Sequence, residues 1–338
     1  MADKLSNDQI MPPALSDLQP LTDGLAGYMR RNRNPIGAFL MMLFFLGLMI
    51  ASNPTVFMNP AAYTSVFTTL PIIILMATAL VFMTTSGVID LSYASTIALG
   101  AWGFATLVRL GYNPFAGLLA AIFLGALVGL INSLLILRFR LQSLIATLGM
   151  LFFTRGAVNI LADGKSIPVP AIQQTFFYQV CCGKIGIMPI QLFWGLGFAA
   201  LTWVLYSWHS FGAHIHIIGD NEESARAMGI PINRVKTLTY VYVGIASAIS
   251  GVFIVSILTT FWPNTGEGYL LVILAAIFVG GNPLIGGVGT VVGALIGSFT
   301  VGFIETGIIA AGLDGFYTRF AFGIVLIISL LGFRPPKR

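Results

Sequence analysis

Long apolar runs separated by short polar segments dominate the chain from about residue 36 onward. A helix needs about 20 apolar residues to cross the ~30 Å hydrocarbon core of a bilayer. By that measure the pattern predicts an all-α polytopic membrane protein with about ten transmembrane helices, some of them short or broken. The predicted spans cover about residues 36–52, 64–85, 92–110, 115–137, 143–161, 190–208, 237–259, 269–281, 285–311 and 317–333.

Two neighbouring spans depart from the regular pattern near "GGNPLIGG" (280–287). The span before it, 269–281, is too short for a straight crossing, and the span after it, 285–311, is longer than a crossing needs. Proline and glycine do not carry a regular helix. We therefore expect a break or a re-entrant turn, which at membrane depth must be buried in protein or face water.

Composition agrees with a membrane protein and excludes other classes. Of 338 residues, 57% are hydrophobic and 9% charged, whereas about a quarter of a soluble domain is charged. The net charge of +5 does not indicate a nucleic-acid partner, because the basic residues lie between apolar runs. The adjacent Cys181 and Cys182 form no C-x-x-C motif, so we read them as small apolar residues and not as a redox or metal site.

The distribution of Lys and Arg predicts the orientation, because cytoplasmic loops retain these residues. Outside the spans they concentrate in 1–34, 138–142, 209–236 and 334–338. Both termini and the 209–236 loop are therefore expected in the cytoplasm. Residues 1–34 lack an apolar core closed by a cleavage site. We expect them to form a cytoplasmic tail that precedes a transmembrane domain over 35–338.

Small residues recur every fourth position in two stretches, "AGLLAAIFLGALVGLINS" (116–133) and "GVGTVVGALIGSFTVGFIE" (287–305). Such a face serves either helix packing within one subunit or a dimer interface. The two stretches also resemble each other, which suggests two halves of about five spans. An odd number of spans in each half would invert the second copy, as in many transporters.

Three ionisable residues fall in or near spans: Asp90, Arg155 and Glu305. A charge at the bilayer centre requires a partner or water, so we expect Arg155 and Glu305 to pair directly or through water. Asp90 either lines a pathway through the membrane or caps the next helix through the amides of Ser92 and Tyr93.

No catalytic constellation is present in the sequence. The nearby His209, His214 and His216 have no carboxylate or cysteine at metal-ligand spacing, so we read them as a solvated interfacial cluster and expect no metal. The chain contains neither a G-x-x-x-x-G-K-[ST] phosphate loop nor an H-E-x-x-H motif. Any ATP that drives transport would be bound by another chain.

The segment "GDNEESARAMG" (219–229) concentrates charge in an otherwise apolar chain. Asp220 and Glu223 have the spacing of a capping box, Gly229 suits the left-handed residue after a helix, and Pro231 prevents continuation. The pattern predicts a helix of about two turns between the sixth and seventh spans. A helix so short needs support from other parts of a protein.

"GDNEESARAMGIPINRVK" (219–236) resembles the cytoplasmic loop of the ribose-type permeases of bacterial ABC importers. "TTSGVIDLSYAS" (84–95), "SLIATLGMLFFTRG" (143–156) and "GGNPLIGGVGTVVGALIGS" (280–298) resemble the same family in the same order. The chain departs from the family pattern at Ser86, at the additional Val88 and after Tyr269, where an acidic residue is often found. Ribose itself is therefore not implied as the solute.

The resemblance implies a permease subunit of the bacterial inner membrane that carries a monosaccharide or related polyol from a periplasmic sugar-binding protein. A second permease copy or a homologue, membrane lipid and a cytoplasmic ABC ATPase that binds ATP and Mg would be its partners, and the chain itself would bind no cofactor. The residues implied in coupling to the ATPase are Gly219, Asp220, Asn221, Glu222, Glu223, Ala225, Arg226 and Gly229. The residues expected along the translocation pathway are Thr85, Ser86, Asp90, Ser92 and Asn282.

Two other functions fit parts of the pattern. An ion-coupled secondary transporter with an inverted repeat would use Asp90 or Glu305 as its proton or sodium site. A membrane-embedded enzyme is disfavoured, because the sequence lacks clustered carboxylates, histidines or metal ligands.

Overall fold

A computed structural model of the chain describes residues 33–283 and 286–332. Within these ranges the chain forms fourteen α-helices and two small antiparallel β-pairs. The helices are α1 (Arg33–Ser52), α2 (Pro54–Phe57), α3 (Pro60–Thr85), α4 (Tyr93–Arg109), α5 (Pro114–Ser133), α6 (Ser143–Leu161), α7 (Phe176–Cys182), α8 (Ile190–Ser207), α9 (Ser210–Asp220), α10 (Glu222–Ala227), α11 (Ile232–Leu258), α12 (Tyr269–Val279), α13 (Val291–Ala310) and α14 (Gly315–Gly332). Of the cytoplasmic tail predicted over 1–34, residues 1–32 lie outside the described part.

Six helices among the described residues are long and apolar enough to cross a membrane. They are Pro60–Thr85, Pro114–Arg138, Ser143–Leu161, Ile190–Ser207, Ile232–Leu258 and Val291–Ala310. Three shorter apolar helical stretches are Pro35–Ala51, Tyr269–Val279 and Gly315–Ile327. The predicted class, a predominantly α-helical polytopic membrane protein, is confirmed at this level.

Helix starts follow local Asn-Pro signals. The side-chain oxygen of Asn59 accepts a hydrogen bond from the Ala61 amide at 2.9 Å before α3, and that of Asn113 accepts one from the Phe115 amide at 3.0 Å before α5. Proline follows each asparagine at the first helical position, where its missing N–H costs no helical hydrogen bond. At its other end α5 continues into a π-helix, Leu134–Arg138.

Helix α3 lies at the centre of the bundle and packs against α8, α11 and α13. Its residues from Leu70 to Thr85 are all buried, as expected for a helix that is apolar on every face. Pro71 lies inside this helix, which is tolerated where neighbouring helices cover the freed backbone groups.

The small-residue faces bring helices of this one chain together. A Cβ atom on Gly125 of α5 would overlap the carbonyl oxygen of Gly244 in α11, and one on Gly297 of α13 would overlap that of Ala276 in α12. Backbones approach closely at such positions because side chains are small. Of the two uses left open by the sequence, packing within one subunit is the one observed.

The segment 162–189, between α6 and α8, is folded. Strand β1 (Ile167–Pro168) pairs antiparallel with β4 (Thr260–Phe261), and β2 (Lys184–Ile185) pairs with β3 (Met188–Pro189). A 3₁₀ helix (Pro170–Gln174) and α7 lie between the pairs. Cys181 and Cys182 in α7 are free thiols, and burial raises the pKa of Cys181 to about 11 and that of Cys182 to about 12. Neutral thiols are poor nucleophiles, which agrees with their reading as apolar residues.

The helix break predicted at 280–287 is present. Helix α12 ends at Val279 and α13 begins at Val291, and residues 284 and 285 between them lie outside the described part. Asn282 organises this break: its side-chain amide donates to the Ile277 carbonyl at 3.4 Å, and its side-chain oxygen accepts from the Thr290 amide. Asn282 is completely buried, whereas Val288 is exposed, so the break begins inside the protein and reaches its surface before α13.

Candidate functional site

The charged segment after α8 forms two helices, where the sequence predicted one. Residues Ser210–Asp220 form α9, which the sequence analysis assigned to a loop, and Glu222–Ala227 form α10. Asp220 is the last residue of α9 and Asn221 is the N-cap of α10. The capping box predicted from Asp220 and Glu223 is therefore wrong by one residue, because Asn caps a helix as well as Asp does.

Helix α10 is held at both ends by its own sequence. The side-chain oxygen of Asn221 accepts from the Ser224 amide at 2.9 Å, and Glu222 and Glu223 in the first turn suit the positive end of the helix dipole. After the helix, Gly229 has φ 77°, the left-handed conformation that glycine adopts readily. The predicted role of Gly229 in ending this helix is confirmed.

One face of α10 is buried and the other is open. Ala225 is fully buried in the core of the chain, so its close approach is to this subunit and not to an external partner. A shallow depression on the opposite side is lined by Glu222, Glu223, Arg226 and Ala227. Together with the exposed Met228, these residues form what we call the α10 surface.

An ion pair attaches the α10 surface to α11. The Nζ atom of Lys236 lies 2.6 Å from Oε2 of Glu222, and Nη2 of Arg226 lies 3.6 Å from Oε1 of the same carboxylate. The Lys236 side chain is only 11% exposed, and that of Arg226 is 75% exposed. A largely buried ammonium needs its counter-charge far more than an exposed guanidinium does. Lys236, which the sequence analysis did not single out, is therefore the important partner of Glu222.

Helix α9 meets the end of α3 and the segment before α13 at Gly219. A Cβ atom at Gly219 would overlap the carbonyl oxygen of Thr85 and crowd the backbone nitrogen of Gly287 at 2.5 Å. The Gly287 amide itself donates to the Thr85 carbonyl at 2.8 Å. Gly219 thus belongs to an internal backbone junction between α9, the end of α3 and the segment before α13.

Side chains reinforce this junction. The Tyr206 hydroxyl hydrogen-bonds the Thr85 hydroxyl at 2.7 Å. His216 Nδ1 lies 3.1 Å from the Gly287 carbonyl oxygen and must donate, because a carbonyl only accepts.

The three histidines have separate positions. His209 caps α9 through its Nδ1 atom, which accepts from the Phe211 amide at 3.1 Å, and His216 lies in the junction. His214 is half-buried. Among the described residues no group of three His, Cys, Asp or Glu side chains could hold a metal ion.

The residues expected to line the pathway are inside the protein. Thr85, Ser86, Asp90, Ser92 and Asn282 are each at most 4% exposed. Ser86 donates to the Met83 carbonyl at 3.0 Å, and Thr85 and Asn282 are bonded as described above. In this conformation these side chains face protein and not an open channel, so their role in the pathway stays a prediction.

Asp90 is the centre of a buried polar cluster. Its Oδ1 atom accepts from the Ser92 amide at 2.7 Å and from the Ser92 hydroxyl at 2.6 Å, and the Asn132 amide lies 3.3 Å from Oδ2. Asp90 therefore uses the amide of Ser92, one of the two amides expected, while Ser92 itself is the N-cap of α4. The Oδ1 atom of Asn132 has no hydrogen-bond partner among the described residues.

The predicted direct pair between Arg155 and Glu305 is not formed. Arg155 on α6 donates to the carbonyl oxygens of Pro263 at 2.8 Å, Thr265 at 2.9 Å and Ala94 at 3.1 Å. Three backbone acceptors bind its guanidinium, and the carboxylate that interacts with it electrostatically is that of Glu267 and not that of Glu305. Glu305 is half-buried and lines a cavity with residues of α12 and α14.

Comparisons with known proteins cover most of the chain. A family model described as "Branched-chain amino acid transport system / permease component" matches residues 62–330. The ribose import permease protein of Escherichia coli (strain K12) is 30% identical over 253 residues, 73% of this chain and 77% of that protein. The autoinducer 2 import system permease protein of Enterobacter sp. (strain 638) is 32% identical over 306 residues, 88% and 85% of the two chains.

A third relative, the L-arabinose ABC transporter permease protein of Azospirillum brasilense, is 29% identical over 297 residues, 86% of each chain. No solved structure matches the chain.

Proposed function

Because this chain belongs to the family of branched-chain amino acid transport permease components, we propose that it forms the translocation pathway of a bacterial ABC importer for a monosaccharide or related polyol. The chain is a transport component and not an enzyme. Its relatives are named for ribose, arabinose and autoinducer 2 import. Each of these matches covers more than two thirds of both chains. We therefore base the proposed class of solute on them.

The α10 surface is the single observation that carries the mechanism. It is an exposed, charged helix face whose other side is packed into the chain through Ala225 and attached to α11 through Glu222 and Lys236. A partner that moves this surface therefore moves α11 with it. We assign the partner as a separate cytoplasmic ATPase that binds ATP and Mg, and the exposed Glu223, Arg226 and Met228 as its contacts.

The assembly follows from the same assignment. A second permease copy or a close homologue would complete the pathway, and a periplasmic sugar-binding protein would deliver the solute. The order of helices supports two related halves, because α3 to α6 and α11 to α14 each begin with the longest helix of the set, 26 and 27 residues. The basic residues near α10 support a cytoplasmic position for it and for both termini, with about ten spans in all.

The ion-coupled alternative finds less support. An ion site in a secondary transporter needs a carboxylate that an ion can reach. Asp90 is buried and already accepts from Ser92 and Asn132. Glu305 is accessible, but the family of the chain is that of permease components driven by a separate ATPase.

Reconstituted uptake tests the proposal. The permease is purified with its ATPase and binding protein, placed in liposomes, and supplied with labelled D-ribose or L-arabinose. We expect uptake that requires enclosed ATP and persists when proton and sodium gradients are collapsed. Uptake that survives without the ATPase and stops with an ionophore would favour the ion-coupled transporter.

Substitution on the α10 surface tests the coupling role. Glu223→Lys reverses an exposed charge that has no ion pair among the described residues. We expect normal insertion but a loss of the ATPase stimulation that loaded binding protein produces. Asp163→Asn, at an exposed site in the segment before α7, is the control. Full stimulation of the Glu223→Lys variant would remove Glu223 from the contact.

A further inference from the structure

A half-open cavity of about 650 Å³ lies between the start of α12, the second half of α13 and the first half of α14. Its size is in the range of small-molecule sites. Four polar side chains and two aromatic rings contribute to its lining: Glu267, Glu305, Thr318, Arg319, Tyr269 and Phe322. Under the orientation proposed above, the cavity lies at the extracytoplasmic end of these helices.

The charged groups of this cavity form no short ion pair among the described residues, although the Glu267 carboxylate interacts at longer range with Arg155. No ion pair involves Glu267, Glu305 or Arg319, although all three line the same space. Thr318 is 7% exposed and its hydroxyl has no hydrogen-bond partner. Thr318 is buried and Glu305 is half-buried, and a polar molecule in the cavity would supply the hydrogen bonds that the chain does not.

The hydroxyl of Thr318, like that of Thr106, lacks the intrahelical hydrogen bond that several threonines of the other spans form. Thr78, Thr202 and Thr300 each donate to the carbonyl oxygen four residues earlier in their own helix, at 2.6, 2.8 and 2.9 Å. Such a bond is the usual way for a helical threonine to satisfy its hydroxyl. Thr318 makes none, so its hydroxyl remains available to a molecule in the cavity.

The carboxylates, the guanidinium and the aromatic rings that line the cavity indicate which class of molecule it can bind. Two carboxylates accept hydrogen bonds and one guanidinium donates them. A molecule with several hydroxyl groups can meet both kinds of group, because each hydroxyl can donate and accept. Neighbouring hydroxyls can donate to a carboxylate and accept from a guanidinium, while the rings of Tyr269 and Phe322 offer apolar surface to the C–H groups.

We propose that this cavity binds the neutral polyhydroxylated solute, a monosaccharide or polyol, as it enters the permease. Glu305 and Arg319 contact solute hydroxyls directly, and Thr318 supplies a further hydrogen bond. This inference rests on the proposed function, because it names the place where the imported solute touches this subunit.

A ratio of uptake rates tests the site. Liposomes that contain the complete importer receive D-ribose or L-arabinose together with one of its monodeoxy analogues, and the uptake of both sugars is measured in one preparation. The ratio does not depend on the amount of folded complex. The specificity of the binding protein contributes equally to the ratios of wild type and variant. The variants are Glu305→Gln and Thr318→Val. Asp314→Asn, an exposed carboxylate next to the cavity in sequence but outside its lining, is the control.

We expect Glu305→Gln to reduce the preference for the parent sugar over at least one analogue by about tenfold, because a hydrogen bond to a charged group is lost. Thr318→Val should change the preference less, and Asp314→Asn should leave it unchanged. A role confined to stability would lower the uptake of both sugars together. If Glu305→Gln yields no folded complex, Arg319→Gln, at an exposed position, replaces it.

Two results would overturn the inference in different ways. If the variants import the sugars with wild-type preference for every analogue, the cavity is not a solute site, and the proposed importer function stands. If the wild-type importer carries leucine and neither sugar, the polyhydroxylated solute and the proposed cargo are both wrong.

Discussion

The ammonium of Lys236 lies 2.6 Å from the carboxylate of Glu222 and joins α10 to the first turns of α11. Helix α11 is also the longest helix of the described chain and packs against α5 and α4. The pair is therefore a direct connection between the α10 surface and the centre of the bundle.

Removal of this pair should weaken both stability and coupling. Glu222→Gln leaves the Lys236 ammonium largely buried without its counter-charge. We expect a loss of about 1–2 kcal/mol, below the ~3–5 kcal/mol of a fully buried pair because Glu222 is 45% exposed. Thermal unfolding of the detergent-purified complex measures the first effect, and ATPase stimulation by loaded binding protein measures the second.

Arg226→Gln is the matched control for the thermal-unfolding measurement. It removes the other cation near Glu222, at 3.6 Å and 75% exposed, and an exposed pair contributes at most about 0.5 kcal/mol. Equal destabilisation by Glu222→Gln and Arg226→Gln would contradict the assignment of Lys236 as the important partner.

Gly219→Ala should be among the most damaging single substitutions in α9 and α10. The added methyl group overlaps the Thr85 carbonyl, and backbone on both sides leaves no side chain to rotate away. We expect a loss of about 3 kcal/mol or more, visible as poor recovery of monodisperse protein.

Gly229→Ala provides the contrast. An added methyl group meets no atom within 4 Å there, and only the left-handed φ carries a cost of about 1–2 kcal/mol. A Gly219→Ala variant as stable as Gly229→Ala would show that the junction can open without cost.

Asp90→Asn should retain folding and transport. Asparagine keeps the oxygen that accepts from the Ser92 amide. If the Asn132 side-chain amide turns by 180°, its unpaired Oδ1 atom can accept from the side-chain NH2 group of the new asparagine. We expect a stability change within about 1 kcal/mol, and about 2–3 kcal/mol for Asp90→Ala, which removes the acceptor altogether. Loss of uptake in an Asp90→Asn variant of normal stability would make Asp90 a pathway or ion-binding residue.

Arg155 and Glu305 should behave as independent residues. Arg155→Met removes three hydrogen bonds to backbone carbonyls and should cost about 2–3 kcal/mol. The double variant with Glu305→Gln should lose the sum of the two single losses to within about 0.5 kcal/mol. A coupling energy well above that value in thermal unfolding would indicate an interaction between the two side chains through water.

Most long helices could be predicted from the sequence, because a membrane-spanning helix needs about 20 apolar residues and such runs are easily recognised. The break at 280–287 was predictable for the same local reason, since Pro283 and its neighbouring glycines do not carry a helix. The helix α9 was missed because its apolar residues lie among three histidines and next to a charged segment. The cap of α10 was misplaced by one residue because Asp220 and Asn221 are both good caps, and only the backbone geometry distinguishes them.

The side-chain partners could not be read from the sequence. Arg155 binds backbone carbonyl oxygens. Because every residue has one, the sequence does not indicate which of them Arg155 contacts. Lys236 was counted only as a charge that sets orientation, because its burial depends on how α11 packs. The two helix faces of small residues were identified correctly, but their partners, Gly244 and Ala276, depend on the three-dimensional arrangement.

The contact at Gly219 has a consequence for the timing of transport. Side-chain contacts can absorb a small displacement by changing rotamer, whereas main-chain atoms in contact cannot. Gly219 lies against Thr85 at the end of α3 and Gly287 in the segment before α13. A displacement of α9 must therefore reach both segments in the same step, so that the end of α3 and the start of α13 change conformation in concert and not in sequence.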